Sequence, residues 1–160
     1  MIRTMKKEEI PECVNVIRTA FATVAEEFGF TRGNAPRFTA FATSDERLHW
    51  HLEQEHRPMY VYLVDGRIAG YYSLAMLKDG NIELNNLAVL PEYRHRGIGG
   101  ELLRHAFLEA GKRGYTVMKI GIVEENRRLR QWYEDWGFVH TGTEKYDFFP
   151  FTCGYLEKRL

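Results

Sequence analysis

Arg94, His95 and Arg96 stand directly before Gly97, Gly99 and Gly100, so positive side chains adjoin main chain that carries no Cβ. That combination attracts an anion and lets it approach the backbone closely. The flanking sequence says which groups would hold it. Upstream, apolar and polar residues alternate from Ile82 to Asn85, the phase slips at Asn85-Asn86, and an apolar run from Leu87 to Leu90 ends at Pro91. This is a strand pattern. Downstream, Leu102, Leu103, Ala106, Phe107 and Ala110 recur at helical spacing, so a helix begins near Gly97 or Ile98. A strand entering a helix through such a turn aims unpaired N–H groups at one point, and the expected ligand there is a diphosphate. No Gly-Lys-Ser/Thr follows, which excludes a P-loop. The Gly-x-Gly-Gly spacing in a basic turn is also a poor match to a dinucleotide fingerprint.

The run Arg94-x-x-Gly97-x-Gly99, preceded by Leu87-Ala88-Val89-x-Pro91-Glu92-Tyr93, resembles the acyl-CoA pyrophosphate loop of the GNAT superfamily of N-acetyltransferases. A second segment, Lys119 to Phe138, has Asn126, Tyr133 and Gly137-Phe138 in register with that family. The resemblance implies acetyl-CoA as cosubstrate, held by Arg94, His95, Arg96, Gly97, Ile98, Gly99 and Gly100, with His95 contributing its backbone N–H more than its ring. It implies that main-chain N–H groups from Leu87 to Val89 meet the thioester oxygen and pantetheine amides, and that Asn126 contacts the cofactor arm. It also implies that the strands at Ile82 and Val117 splay at their C-terminal ends, with the pantetheine arm in the gap.

Acetyl transfer to an amine needs a held donor, a neutral amine, oxyanion stabilisation and a proton for the leaving thiolate. Tyr133 lies seven residues after Asn126 and shares a helical face with it. A phenol of pKa ~10 is within roughly two units of an alkyl thiol and can protonate a thiolate without prior acidification. The resemblance implies that general-acid role; the alternative is an amphipathic core residue like Trp132. Glu83, fourteen residues before Gly97, resembles the general base of some family members, acting directly or through water. Otherwise it is a strand carboxylate facing solvent. Strict alternation would set Glu83, Asn85, Leu87 and Val89 on one face, but the slip at Asn85-Asn86 suggests a bulge that breaks this phase.

The acceptor side carries weaker signals. Glu26 and Glu27 end a helix beside Phe28-Gly29-Phe30 and could hold a cationic amine, or form a solvated face. Phe149, among aromatics around Pro150, could wall an acceptor pocket or cap the core. His49 and His51 lie near His56, but the i, i+2 pair does not share a helical face, so no metal site is expected. Cys13 and Cys153 fit neither a metal spacing nor a disulfide framework, and neither lies in an electropositive motif that would make it a nucleophile.

These residues need elements to position them. Ile10, Val14, Ile17, Phe21 and Val24 mark a helix from Lys7 to Glu27 with one buried stripe. Gly29 to Pro36 reads as a loop. Thr43-Ser44-Asp45-Glu46 matches a capping box for a helix from Ser44 to Glu55. Ile2-Arg3-Thr4, Met59 to Val64, Ile68 to Leu77, Val117 to Val123, Phe138 to Tyr146 and Phe151 to Lys158 read as the other strands, and Asn126 to Trp136 as the last helix. The expected fold is therefore α/β (α+β) and GNAT-like: a mixed, mostly antiparallel sheet of about seven strands with one parallel central pair, flanked by four helices. Length predicts a single domain over residues 1–160. The 22 basic and 22 acidic side chains cancel, which argues against non-specific nucleic-acid binding. No apolar run approaches the ~20 residues that span a membrane, and the N-terminus lacks the apolar core of a signal peptide. The expectation is a cytoplasmic N-acetyltransferase with a primary amine, on a small molecule, as acceptor. A protein or peptide acetyltransferase and a non-catalytic acyl-CoA-binding module are the alternatives. Oligomeric state is open, a homodimer included.

Overall fold

The computed structural model describes residues 1–160. Seven strands, β1 (Ile2–Thr4), β2 (Met59–Val64), β3 (Arg67–Met76), β4 (Ile82–Val89), β5 (Val117–Val123), β6 (Val139–Glu144) and β7 (Cys153–Arg159), form one sheet in the order β1-β2-β3-β4-β5-β7-β6. Every pairing is antiparallel except β4 with β5. Five helices flank it: α1 (Ile10–Phe28), α2 (Thr39–Ala42), α3 (Asp45–Glu53), α4 (Ile98–Lys112) and α5 (Arg127–Asp135). The helix beyond the four expected is α2, whose four residues are too few to display a period.

Three apolar clusters hold these layers. On one face of the sheet, Ile82, Leu84 and Met118 pack against Ile98, Leu102, Leu103 and Ala106 of α4 and Tyr133 of α5. On the other, Val61, Ile68 and Tyr71 meet Ile10, Val14 and Ile17 of α1 and Leu48 of α3. Ile10, Ile17 and Leu48 are fully buried, each contributing about 1.5–3 kcal/mol relative to exposure. A third cluster, around Phe30, Phe38 and Phe151, joins the segment after α1 to the loop between β6 and β7.

Two local details differ from expectation. A single 3-10 turn at Lys7–Glu9 precedes α1, and Pro11 occupies the first turn of α1, where its missing N–H costs no bond. The cap of α3 is Ser44, whose Oγ accepts from Arg47 N at 3.1 Å. Thr43 lies one residue earlier, and its hydroxyl donates to the Thr39 carbonyl at 2.7 Å at the end of α2.

The slip at Asn85-Asn86 is a bulge. Tyr71 pairs with Ala88 and Ser73 with Asn85, so two residues of β4, Asn86 and Leu87, lie opposite Tyr72 alone, and Asn86 takes φ +54°. Parity along β4 therefore reverses. Ile82 and Leu84 face α4 before the bulge; Leu87 and Val89 face it afterwards, while Ala88 faces α1. Glu83 and Asn85 consequently share a face with Ala88, not with Leu87 and Val89.

Candidate active site

The parallel pair is short: only Ile82↔Met118 and Glu83↔Lys119 are in register. Beyond Glu83 the two strands separate, and a cavity of about 780 Å³ opens between Leu84–Val89 and Ile120–Val123. Alternate main-chain groups of β4 past that point lack a strand partner on their β5 side and face the gap. This is the splay that the resemblance implied.

The glycine turn closes one end of the cavity. His95 (φ +62°) and Gly97 (φ +81°) are both left-handed, and α4 starts at Ile98. The first main-chain bond of the new helix is Glu101 N to Gly97 O at 3.0 Å, so the six N–H groups from His95 to Gly100 have no main-chain acceptor. Six clustered donors at the positive end of a helix dipole suit a diphosphate. Gly97 is required for its φ. Gly100 serves packing, because a Cβ there would lie 2.9 Å from Trp136 Cζ2 of α5.

Arg94 is placed differently from a free phosphate ligand. Its Nε donates to Val89 O at 3.3 Å, Nη1 to Thr23 Oγ1 at 3.0 Å and Nη2 to Ala20 O at 3.0 Å. Burial lowers its pKa. Arg94 thus fastens the turn to α1 and β4. Arg96 is exposed, with its guanidinium 5.4 Å from the Tyr93 ring centroid.

Beside the turn, α5 and its cap supply Asn126, Leu129, Trp132 and Tyr133 to the wall. Asn126 is the helix cap, its Oδ1 accepting from Leu129 N at 3.3 Å, which leaves the amide nitrogen for the cavity. Tyr133 is buried in edge contacts with Trp132 and Phe138 at 5.0 and 5.4 Å, and burial pushes its phenol up. Its hydroxyl is therefore protonated throughout the physiological range.

Glu83 does not line the cavity; the bulge directs it to the α1 side of the sheet beside Asn85. Burial raises its pKa, opposed by the Asn85 side chain and the charges of Arg57 and Lys119. Of the two acceptor-side glutamates, Glu27 lines the cavity with Thr23 and Val24 and pairs with Arg128 of α5 at 2.7 Å. Glu26 lies about 100° around the helix, is exposed, and takes no part in the wall. Phe149 does line it, stacked on Phe151 at 4.6 Å.

Sequence reasoning missed the segment 37–39. Arg37, Phe38 and Thr39 form cavity wall that no motif marked, since the loop owes its place to Phe38 packing on distant Phe151 at 5.8 Å. Phe21 and Val24, part of the expected buried stripe, are half-buried wall residues.

Residues 22–138 match the model of the Acetyltransferase (GNAT) family, which spans both the glycine turn and the Tyr133 helix. The chain belongs to the GNAT acetyltransferase family. An uncharacterised N-acetyltransferase of Mycobacterium tuberculosis is 29% identical over 103 residues, 64% of this chain and 66% of its own length. The alignment therefore leaves about a third of that GNAT relative unmatched. A putative ribosomal protein bS18-alanine N-acetyltransferase of Bacillus subtilis is 27% identical over 111 residues, 69% of this chain and 73% of its own. Among solved GNAT folds, a putative acetyltransferase from Salmonella typhimurium, crystallised with its cofactor acetyl-CoA, superposes with a TM-score of 0.78 at 21% identity, over 100% of this chain and 93% of that one.

Proposed function

We propose that this GNAT chain, acting as one domain over residues 1–160, transfers an acetyl group from acetyl-CoA to a primary amine by direct attack. The observation that carries the reading is the row of six free N–H groups from His95 to Gly100, at the end of a cleft whose wall presents Tyr133. The turn anchors the diphosphate, and the splayed β4 edge beside Leu87 to Val89 offers main-chain donors to the pantetheine amides and the thioester oxygen. The amine nitrogen bonds to the thioester carbon, the C–S bond breaks, the Tyr133 phenol gives its proton to the departing thiolate, and the proton that the nitrogen sheds as the amide forms returns to the phenolate. Glu83 takes the ammonium proton through water, since its carboxylate lies outside the cavity wall. No acyl-enzyme is invoked: Cys13 lies away from the cavity, and Cys153, which lines it, sits in no electropositive motif, with burial raising both thiols.

The acceptor is a small molecule in this reading. Its support is the closure of the acceptor end, where Phe30 and Phe38 contact Phe151 at 4.8 and 5.8 Å and join the segment after α1 to the β6–β7 loop. The name of the Bacillus subtilis relative favours a second reading, acetylation of a protein's N-terminal alanine. Two free cysteines suit a reducing compartment, and the cytoplasm is the proposed location. An assay of free thiol released from acetyl-CoA, run over small primary amines and peptides with free N-termini, tests the proposal. Amine-dependent release with small molecules supports it; release only with peptides replaces the acceptor assignment, and no release with any amine contradicts transfer.

A further inference from the structure

The cavity wall contains four charged side chains besides His95 of the turn: Glu27, Arg37, Arg94 and Arg128. Three are already matched. Arg94 spends its donors on Val89, Thr23 and Ala20, and Arg128 pairs with Glu27. Arg37 alone has no acidic or carbonyl partner. Its guanidinium lies 4.3 Å from the centroid of Phe148, so it is stacked on the β6–β7 loop with its in-plane N–H groups free. A guanidinium ordered by stacking has lost less freedom to give up when it grips a carboxylate through two parallel bonds.

A separate groove on the opposite face of α1, lined by Asn15, Arg18, Thr19, Arg32 and Phe41, contains two more arginines. Neither of them lines the cavity, so Arg37 is the one unpaired arginine on its wall. The diphosphate site lies elsewhere, at the turn after β4.

Resting on the acetyl-transfer reading above, we infer that the acceptor is an amine that also carries a carboxylate, and that Arg37 is the residue that selects it. The carboxylate can belong to a free amino acid or to an acidic side chain next to a peptide's N-terminal amine; the chemistry recognised is the same.

The test is a set of acceptors matched except for the carboxylate, with rates compared at equal concentrations of neutral amine: amino acids against their carboxamides, and alanyl-aspartate amide against alanyl-asparagine amide. Each is assayed with wild type, Arg37→Gln, Arg37→Lys and Arg32→Gln, and acetyl-CoA binding and melting temperature are measured for every variant. Wild type is expected to favour the carboxylate member by about tenfold or more in kcat/KM, chiefly through KM. Arg37→Gln should bring that ratio to about one, Arg37→Lys should restore part of it, and Arg32→Gln, outside the cavity, should leave it in place. Preference confined to the amino acids or to the dipeptides identifies the source. Equal use of both members, a ratio that survives Arg37→Gln, or a parallel loss of acetyl-CoA affinity in that variant would overturn the inference. So would saturable acetyl-CoA binding with no turnover of any member of the set, a result that leaves the cofactor assignment standing.

Discussion

Arg94 Nη1 donates to Thr23 Oγ1 at 3.0 Å, across 71 residues of sequence, and so ties the glycine turn to the first helix. With the bonds to Ala20 O and Val89 O, this makes Arg94 the clamp that sets where the free N–H groups point. Bonds to a charged donor are worth more than neutral ones, so Arg94→Ala should destabilise the fold by about 2 kcal/mol and weaken acetyl-CoA binding together. Arg94→Lys cannot span the same three acceptors and should recover little. Exposed Arg96 should behave oppositely: Arg96→Ala leaves the melting temperature in place and lowers acetyl-CoA affinity, and that loss shrinks as salt is raised. Thermal melts beside binding titrations separate the two roles.

Gly97 and Gly100 should fail for different reasons. A side chain at Gly97 must adopt φ +81°, which costs about 1–2 kcal/mol and disturbs the donors around it. Gly97→Ala should therefore lose acetyl-CoA affinity beyond its loss of stability. Gly100→Ala sets a methyl against Trp136 at 2.9 Å, an overpacking cost of about 1–3 kcal/mol. Paired with Trp136→Leu, it should regain stability, and urea unfolding of the double variant checks this.

Tyr133→Phe should lower kcat by about a hundredfold or more while acetyl-CoA affinity is kept, because only the proton for the thiolate is lost. Burial holds the phenol above its ordinary value, so Tyr133 stays protonated to higher pH than a free tyrosine. No alkaline loss of kcat assignable to this residue is expected below about pH 10. A pH–rate profile in which Tyr133→Phe removes an alkaline limb near neutrality would contradict this.

Glu83 makes a prediction with a definite sign. Burial raises its folded pKa above the unfolded value, so the native state binds that proton more tightly. The penalty is absent below the unfolded pKa and fully present above the folded one, and stability falls as pH rises between them. Glu83→Gln should therefore melt higher than wild type at pH 8, with the gain vanishing at pH 4. In turnover, the same variant should lose the acid limb of kcat/KM that a base titrating above the usual carboxylate range imposes.

The parts of this account that depend on neighbours in sequence were legible in advance. Leu87 to Leu90 and the helical repeat from Leu102 to Ala110 announced a strand and a helix, and the phase slip at Asn85-Asn86 announced the bulge that turns Glu83 away from Leu87. What depended on residues brought together from afar was not. Arg94 reads as a phosphate ligand beside its glycines, yet its partners are Ala20 and Thr23. Gly100 reads as an anion contact, yet Trp136 fills the space beside it. Glu27 and Glu26 are equivalent in sequence and both exposed, and only the helical angle puts Glu27 on the cavity wall. Arg37 carries no local mark at all: a loop arginine becomes part of the cavity wall because Phe38 packs on Phe151 and the β6–β7 loop brings Phe148 beneath it.

The most direct measurement is a calorimetric titration of the purified chain with acetyl-CoA, beside the dephosphorylated pantetheine thioester that lacks the diphosphate, repeated in Gly97→Ala. One saturable site for acetyl-CoA, weakened at least about tenfold by removing the diphosphate and again by disturbing the turn, is the expected result. Equal affinity for the two thioesters, or acetyl-CoA binding indifferent to Gly97→Ala in a folded sample, would show that the six N–H groups do not hold the diphosphate.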